Sequence, residues 1–324
     1  MSVFAKLIKT KGGDILKDLI RSRVLFRTIA LLPLVGFSKK SLEIVRLNNS
    51  NVVLSRLRRK YRLTITKFRK DNQYSLVYDQ QQRNFSKKIW ICWFQGLEAA
   101  PHVVQECISS VQERLSDREV IVLTDKNYHQ YVTLPDHIKE KIEQGIISKT
   151  HLSDLLRLEL LTQYGGTWID STVFIHSSFE WECFSRTYFT IKTGEMTDYS
   201  PNVSKNRWKT FLLSGNSSLY TFTRDFFFEY FKKFDYVIDY LLIDYIFDIA
   251  FERDIEIKKQ MLELESTNLN LFWLEKHFSE KFDRNIWEHI SKETKIFKTT
   301  YKLDTKIKCD PENNYSALIK SKLK

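Results

Sequence analysis

Apolar positions recur at roughly helical spacing along the first 70 residues. Phe4, Leu7, Ile8, Ile15, Leu16, Leu19 and Ile20 alternate with Lys6, Lys9, Lys17, Arg21 and Arg23. Further on, Val52, Val53, Leu54 and Leu57 sit against Arg56, Arg58, Arg59, Lys60 and Arg62. Both stretches predict basic amphipathic helices. Between them Val24–Phe37 is an apolar run of 14 residues, interrupted by Arg27 and Pro33. It is too short to span a bilayer as a helix. No small-residue cleavage site follows it, so no secretory signal is expected.

The pattern changes after Lys87. Ile89-Trp-Ile-Cys-Trp-Phe94 is a short apolar run that ends at Gln95-Gly96 and reads as a buried strand. Pro101 then opens a helical stretch to about Leu115, and Glu119–Thr124 is a second apolar strand. Strand, helix and strand at this spacing form a βαβ unit, so an α/β fold with a parallel strand pair is expected. Helices are predicted over 135–144, 151–164, 220–234, 236–251, 269–282 and 283–291. Thr167–Ile175 reads as one strand with a polar break in its middle. The expected organisation is a basic helical extension over 1–75, a main body over 76–302 and a peripheral Lys-rich tail over 303–324.

Charge sharpens this division. Residues 1–70 carry 18 Lys/Arg against 3 Asp/Glu, a net +15, whereas the rest of the chain carries 33 against 37, a net −4. A basic arm on a mildly acidic body suits an anionic membrane surface, although a solvated basic face on a packed helical extension fits the same pattern. No nucleic-acid module accompanies the arm, so no nucleic-acid partner is expected. The four cysteines have no C-x-x-C spacing, which gives no zinc or redox motif and suggests reduced, free thiols. These features together place the protein in the cytoplasm, peripheral to the inner face of the cell membrane.

Candidate chemistry concentrates between Ser153 and Thr172. The apolar residues of 151–164 fall all around the helical wheel, so that helix is expected to be buried on most sides. Asp154 and Arg157 nevertheless share one of its faces. Buried charges require a partner: each other, as a structural ion pair, or a ligand. Gly165-Gly166 ends the helix and lets the chain turn into the strand. Asp170 then interrupts an apolar strand, where acids are disfavoured. Asp170 and Thr172, two apart, would share a strand face and hold a divalent cation with its phosphates; an Asx-type turn is the plainer alternative.

Ser-Asp-x-x-Arg, then Gly-Gly-Thr-Trp-Ile-Asp-Ser-Thr, resembles the capsular polysaccharide synthesis family of glycosyltransferases, relatives of the DXD-containing sugar transferases of GT-A fold. Ile89–Gly96, Lys149–Ser153, Tyr236–Asp244 and Ile296–Lys302 resemble further blocks of the same family, so the likeness covers about residues 87–302. It implies a GT-A-like domain with a central mixed sheet and a nucleotide-diphospho-sugar donor. The acceptor would be a glycan or lipid-linked glycan of a bacterial surface. Asp154 and Arg157 would grip donor hydroxyls. Asp170 would contact ribose and a metal–diphosphate unit, with Mn²⁺ or Mg²⁺ held by Asp170 and Thr172. Trp93, Gln95 and Gly96 would border the base, and Gly165 and Gly166 would complete the donor site.

The chain departs from the family pattern at two places. The second acid of the DXD pattern is Thr172, and Phe297-Lys298 stands where relatives carry His-Lys. Lys298 or Lys302 would then neutralise the leaving diphosphate; solvated surface lysines are the plainer alternative, and Lys302 is read that way. Asp239 or Asp244 would serve the acceptor, unless they are solvated helix charges. Two rival readings are a sugar-phosphate transferase of capsule assembly and a non-catalytic scaffold bound to membrane through its arm.

Overall fold

The computed structural model describes residues 16–67, 86–194 and 203–323. The expected helical stretch over Phe4–Ile15 and the expected boundary at residues 75/76 lie outside these. Residues 16–21 open the described chain as helix, and α1 (Leu25–Val35) and α2 (Lys39–Lys60) follow. The α/β body follows in the order β1 (Lys88–Cys92), α3 (His102–Arg114), β2 (Glu119–Leu123), α4 (Asp136–Glu143), α5 (Lys149–Tyr164), β3 (Thr167–Ile169), β4 (Val173–Ile175), β5 (Tyr188–Thr190) and β6 (Leu212–Gly215). The C-terminal part comprises α6 (Ser218–Lys233), α7 (Leu242–Arg253), α8 (Ile255–Leu262), α9 (Trp273–His277), α10 (Arg284–Glu293), β7 (Ile296–Lys298), α11 (Thr305–Cys309) and α12 (Asn314–Ile319).

The central sheet is mixed, with strand order β2-β1-β3-β6-β5. β1 runs parallel to both β2 and β3, while β6 runs antiparallel to β3 and to β5. Residues 89–92 of β1 are all buried, as suits a central strand covered on both faces by helices. Pro101 and Pro135, fixed near φ −55 and −59, stand immediately before α3 and α4 and set the sharp entry of each helix. A second, two-stranded antiparallel sheet pairs β4 with β7, Val173 opposite Lys298.

Expected helices and strands differ from the structure where side chains or distant strands claim the backbone. The polar break in 167–175 is a tight turn: Val173 N–H donates to Asp170 O at 2.9 Å, and the expected single strand becomes β3 and β4 in different sheets. α7 begins at Leu242 rather than Tyr236, because Asp239 accepts a hydrogen bond from Leu241 N–H at 2.9 Å and holds a local turn instead. Only Trp273–His277 of the expected helix over 269–282 is helical. Asn268 Oδ1 accepts from the N–H groups of Lys295 and Ile296, and Leu271 O accepts from Lys298 N–H, so this segment is tied to β7.

The N-terminal helices and the C-terminal tail share the core. Val53, Leu54, Leu57 and Tyr61 are buried in the same apolar cluster as the sheet. The Tyr61 ring lies 4.4 Å from that of Phe226 on α6. Asp248 of α7, buried, pairs with Arg58 of α2 at 2.7 Å and also with Arg207, clamping α2 to the body. Within 303–324, residues 303–312 are exposed or half-buried, but the end of the segment is not peripheral. Tyr315, Ala317, Leu318 and Leu323 are buried, α12 packs against α3, and Asn313 caps α12 by accepting from Ser316 N–H at 2.8 Å. No helix among the described residues is long and apolar enough to cross a membrane. All four cysteines are free, with Cys92 and Cys107 buried.

Gly166 fixes how closely β3 approaches β1. Its φ is +87, and a Cβ there would stand 2.3 Å from the backbone oxygen of Lys88. Gly96 also has a positive φ, +85, but open space around it. Gly166→Ala is therefore expected to cost about 3 kcal/mol or more, from strain plus a backbone clash, and Gly96→Ala about 1 kcal/mol from strain alone. Denaturant unfolding of the two variants checks the order; equal midpoints would contradict it.

Candidate functional site

Helix α5 carries the first two charged groups. Ser148 caps it by accepting from His151 N–H, and Gly165 ends it at φ +63. Leu152, Leu155, Leu156, Leu158, Leu160 and Leu161 are buried around its wheel. Asp154 and Arg157, on one face, are 7% and 5% exposed. The Arg157 guanidinium reaches Asp154 Oδ1 and Asp170 Oδ1, both at 3.0 Å, and lies 5.1 Å from the centre of the Trp168 ring. One cation thus ties a helix carboxylate to the carboxylate just past the end of β3.

Asp170 is held from several sides. Its N–H donates to Phe211 O at 2.9 Å, and its Oδ1 accepts from Trp168 Nε1 at 2.9 Å as well as from Arg157. The Lys298 ammonium donates to Asp170 Oδ2 at 3.2 Å and to Thr172 Oγ1. The β4–β7 pairing places it there: Lys298 lies opposite Val173, and Thr172 O accepts from both Thr299 N–H and Thr299 Oγ1.

These groups line a cavity of about 710 Å³ at the carboxyl ends of β1 and β3, the usual ligand position in open α/β sheets. Its volume falls within the roughly 300–1,000 Å³ of small-molecule sites. Of the residues singled out from the sequence, Trp93, Gln95, Asp154, Arg157, Asp170, Thr172, Asp244, Lys298 and Lys302 line it. Gly96, Gly165 and Gly166 do not; the glycine pair sits at the opposite end of β3 and shapes the turn and the β1–β3 approach. Asp239 borders a separate, smaller cavity.

The wall also holds groups that pattern reasoning missed. Arg46 comes from α2, Lys149 from the start of α5, and Trp208-Lys209 from the segment before β6. Trp208 Nε1 donates to Asp244 Oδ1 at 2.7 Å, and Lys209 Nζ donates to Asn206 Oδ1 at 2.7 Å. A lysine before an apolar strand carries no periodic signal, so only the folded chain reveals it. The lining includes six cationic side chains (Arg46, Lys149, Arg157, Lys209, Lys298 and Lys302) against four acids (Asp154, Asp170, Asp244 and Glu275). Two buried donors on lining residues, Trp93 Nε1 and Arg157 Nε, have no acceptor among the described residues.

Burial raises all three of the acids Asp154, Asp170 and Asp244, and their charged neighbours decide the outcome. Burial pushes Asp154 up to about 7 against the pull of Arg157. It pushes Asp244 up to about 6, opposed by Trp208 and Lys209. Asp170 feels burial too, but Lys298 and Arg157 outweigh it and hold its carboxyl below the usual value. Burial also lowers Lys209 to about 8.

The donor set does not fit a divalent cation. Among the described residues no group of three or more His, Cys, Asp or Glu side chains is placed to hold a metal. Asp170 supplies one carboxylate whose oxygens are both engaged by cations, and the ammonium of Lys298 already lies between it and the Thr172 hydroxyl.

The profile of the family described as capsular polysaccharide synthesis protein matches residues 36–318. The chain belongs to this family. The match takes in α2, the cavity and most of α12, so family membership extends well beyond the motif residues. The glycosyltransferase afumC of Aspergillus fumigatus is 28% identical over 125 residues, 35% of this chain and 30% of that protein. The O-glycosyltransferase braB of Annulohypoxylon truncatum is 30% identical over 109 residues, 31% of this chain and 26% of that protein. The aligned part thus spans about a third or less of either relative.

Asp244 supplies a pH test. Its folded-state value near 6 lies above the ordinary 3.8, so its protonated form is favoured by folding. The stability this gives is complete below 3.8 and is lost as pH rises through about 6. Asp244→Asn keeps an oxygen for Trp208 and carries no charge. Its melting temperature relative to the unaltered protein is expected to rise between pH 4 and 7; a pH-independent difference would contradict the raised value.

Proposed function

We propose that this protein is a glycosyltransferase of GT-A type, moving a sugar from a nucleoside-diphosphate donor to a growing bacterial surface glycan carried on lipid. The observation that carries the reading is the Arg157-centred network meeting Lys298 at the wall of a cation-rich cavity. Membership of the capsular polysaccharide synthesis family and the partial likeness to two fungal glycosyltransferases support it.

In this reading the donor lies across the carboxyl ends of β1 and β3. Trp93 and Gln95 border the base, and the unmatched indole N–H of Trp93 finds its acceptor there. Asp154 and Arg157 hold sugar hydroxyls and fix the anomeric carbon, the source of the orientation gain. Asp170 accepts from ribose hydroxyls. As the bond from the anomeric carbon to diphosphate breaks, its electron pair goes to the diphosphate oxygen. The Lys298 ammonium, seated between Asp170 and Thr172, meets that charge, with Lys302 nearby. The acceptor hydroxyl bonds to the anomeric carbon and releases its proton. Asp244, on the cavity wall and raised by burial to about 6, receives it.

The test is a donor screen that measures nucleotide release, with Asp170→Asn as the blank. Release is expected for one donor class and is expected to persist in EDTA. Lys298→Ala is expected to lower it about 100-fold, the scale of losing one charge-stabilising group. Release abolished by EDTA and restored by Mn²⁺ would overturn the role of Lys298. No release with any donor would favour the scaffold reading, and a phosphodiester in the product would favour the sugar-phosphate transferase.

A further inference from the structure

Helix α1 is packed inside out. Its sequence, Leu-Phe-Arg-Thr-Ile-Ala-Leu-Leu-Pro-Leu-Val, is almost wholly apolar, yet its one buried residue is Thr28. Thr28 Oγ1 donates to Val24 O at 2.9 Å and accepts from Asn49 Nδ2 of α2 at 2.8 Å. Two further polar ties fix the same orientation. Arg27 Nε donates to Asn48 Oδ1 at 2.6 Å, and Arg56 donates to the carbonyls of Ser22 and Arg23. Hydrogen bonds therefore set which face of α1 meets α2.

The face left outside is apolar. At 100° per residue Phe26, Ile29, Ala30, Pro33 and Leu34 fall on one side of the helix, opposite Thr28. All five are exposed; Phe26 is 86% and Leu34 81% exposed. The exposed side chains of Arg23 and Arg27 flank this stripe. A contiguous apolar face of this kind on a soluble domain marks an interaction surface.

We propose that α1 lies in the interfacial layer of an anionic lipid membrane, with Phe26, Ile29 and Leu34 inserted among the acyl chains. Arg23 and Arg27 would sit at the headgroups. Charge selects this occupant over a second copy of the chain. Residues 1–70 carry 18 Lys/Arg against 3 Asp/Glu, so two such surfaces repel, whereas anionic lipid attracts them. A short apolar helix with basic flanks has the form of an interfacial helix, and it is too short to span. The inference stands apart from the transferase reading, but it gives the cavity a place. Arg46, on the cavity wall, lies seven residues into α2, roughly 10 Å along the helix from its start beside α1. A membrane-docked α1 therefore holds the cavity near the bilayer, within reach of a lipid-linked acceptor.

The experiment is co-sedimentation of the full chain with phosphatidylcholine vesicles, with and without phosphatidylglycerol, at low and high salt. Binding is expected only to the anionic vesicles and is expected to weaken with salt. The F26E/L34E variant changes exposed side chains only, so its melting temperature should match the unaltered protein while its bound fraction falls about tenfold or more. Unchanged binding in F26E/L34E would overturn the proposal. So would a concentration-dependent dimer, seen by analytical ultracentrifugation, that F26E/L34E abolishes, because the stripe would then be covered by a second copy.

Discussion

A guanidinium buried between two carboxylates is the constraint around which this molecule is arranged. Arg157 is as deeply placed as a core leucine, and charge at that depth is tolerated only when it is paired and hydrogen-bonded. Each neighbouring element meets that requirement in its own way. α5 is apolar all round, so it sinks into the body and carries Asp154 and Arg157 with it. Gly166 lets β3 run against β1 at backbone contact, which brings the end of β3 to the same edge as the end of β1. The turn after Ile169 then presents Asp170 to Arg157. Without that turn, Arg157 would keep Asp154 alone as its counter-charge.

The same network separates its acids by environment. Asp154 and Asp170 touch the same guanidinium, yet burial raises the first toward 7 while the second is held low. The difference is Lys298 and the indole of Trp168, which reach Asp170. Carboxylates whose environments move them apart can carry different tasks within one site. Lys298 also explains how Thr172 can stand where the resemblance places a second acid. An ammonium needs a carboxylate and a hydroxyl, whereas a divalent cation needs a fuller set of oxygens.

Much of this was legible in the sequence because its signals are local. Pro101 and Pro135 announce their helices, the apolar wheel of 151–164 announces its burial, and the spacing of Asp154, Arg157 and Asp170 announces one charge cluster. The rest depends on pairings that no window of sequence contains. Lys298 meets Asp170 across 128 positions of chain, because β7 pairs with β4. Trp208 and Lys209 enter the cavity wall from a segment with no periodicity. Asp239 and Asn268 divert backbone that has helical composition, through side-chain bonds to near and distant N–H groups. The glycine pair marks its turn in the sequence, but that turn lies at the far end of its strand from the cavity.

On the proposed function, Asp154, Arg157 and Asp170, joined by ion pairs, act on a nucleotide-sugar as one unit. Calorimetric titration of the donor into the unaltered protein, Asp154→Asn, Asp170→Asn and the double variant tests it most directly. Each single change is expected to weaken binding, and the double change to weaken it no more than the worse single one, a coupling of about 1 kcal/mol or more. Losses that simply add, or donor affinity unaffected by either change, would contradict it.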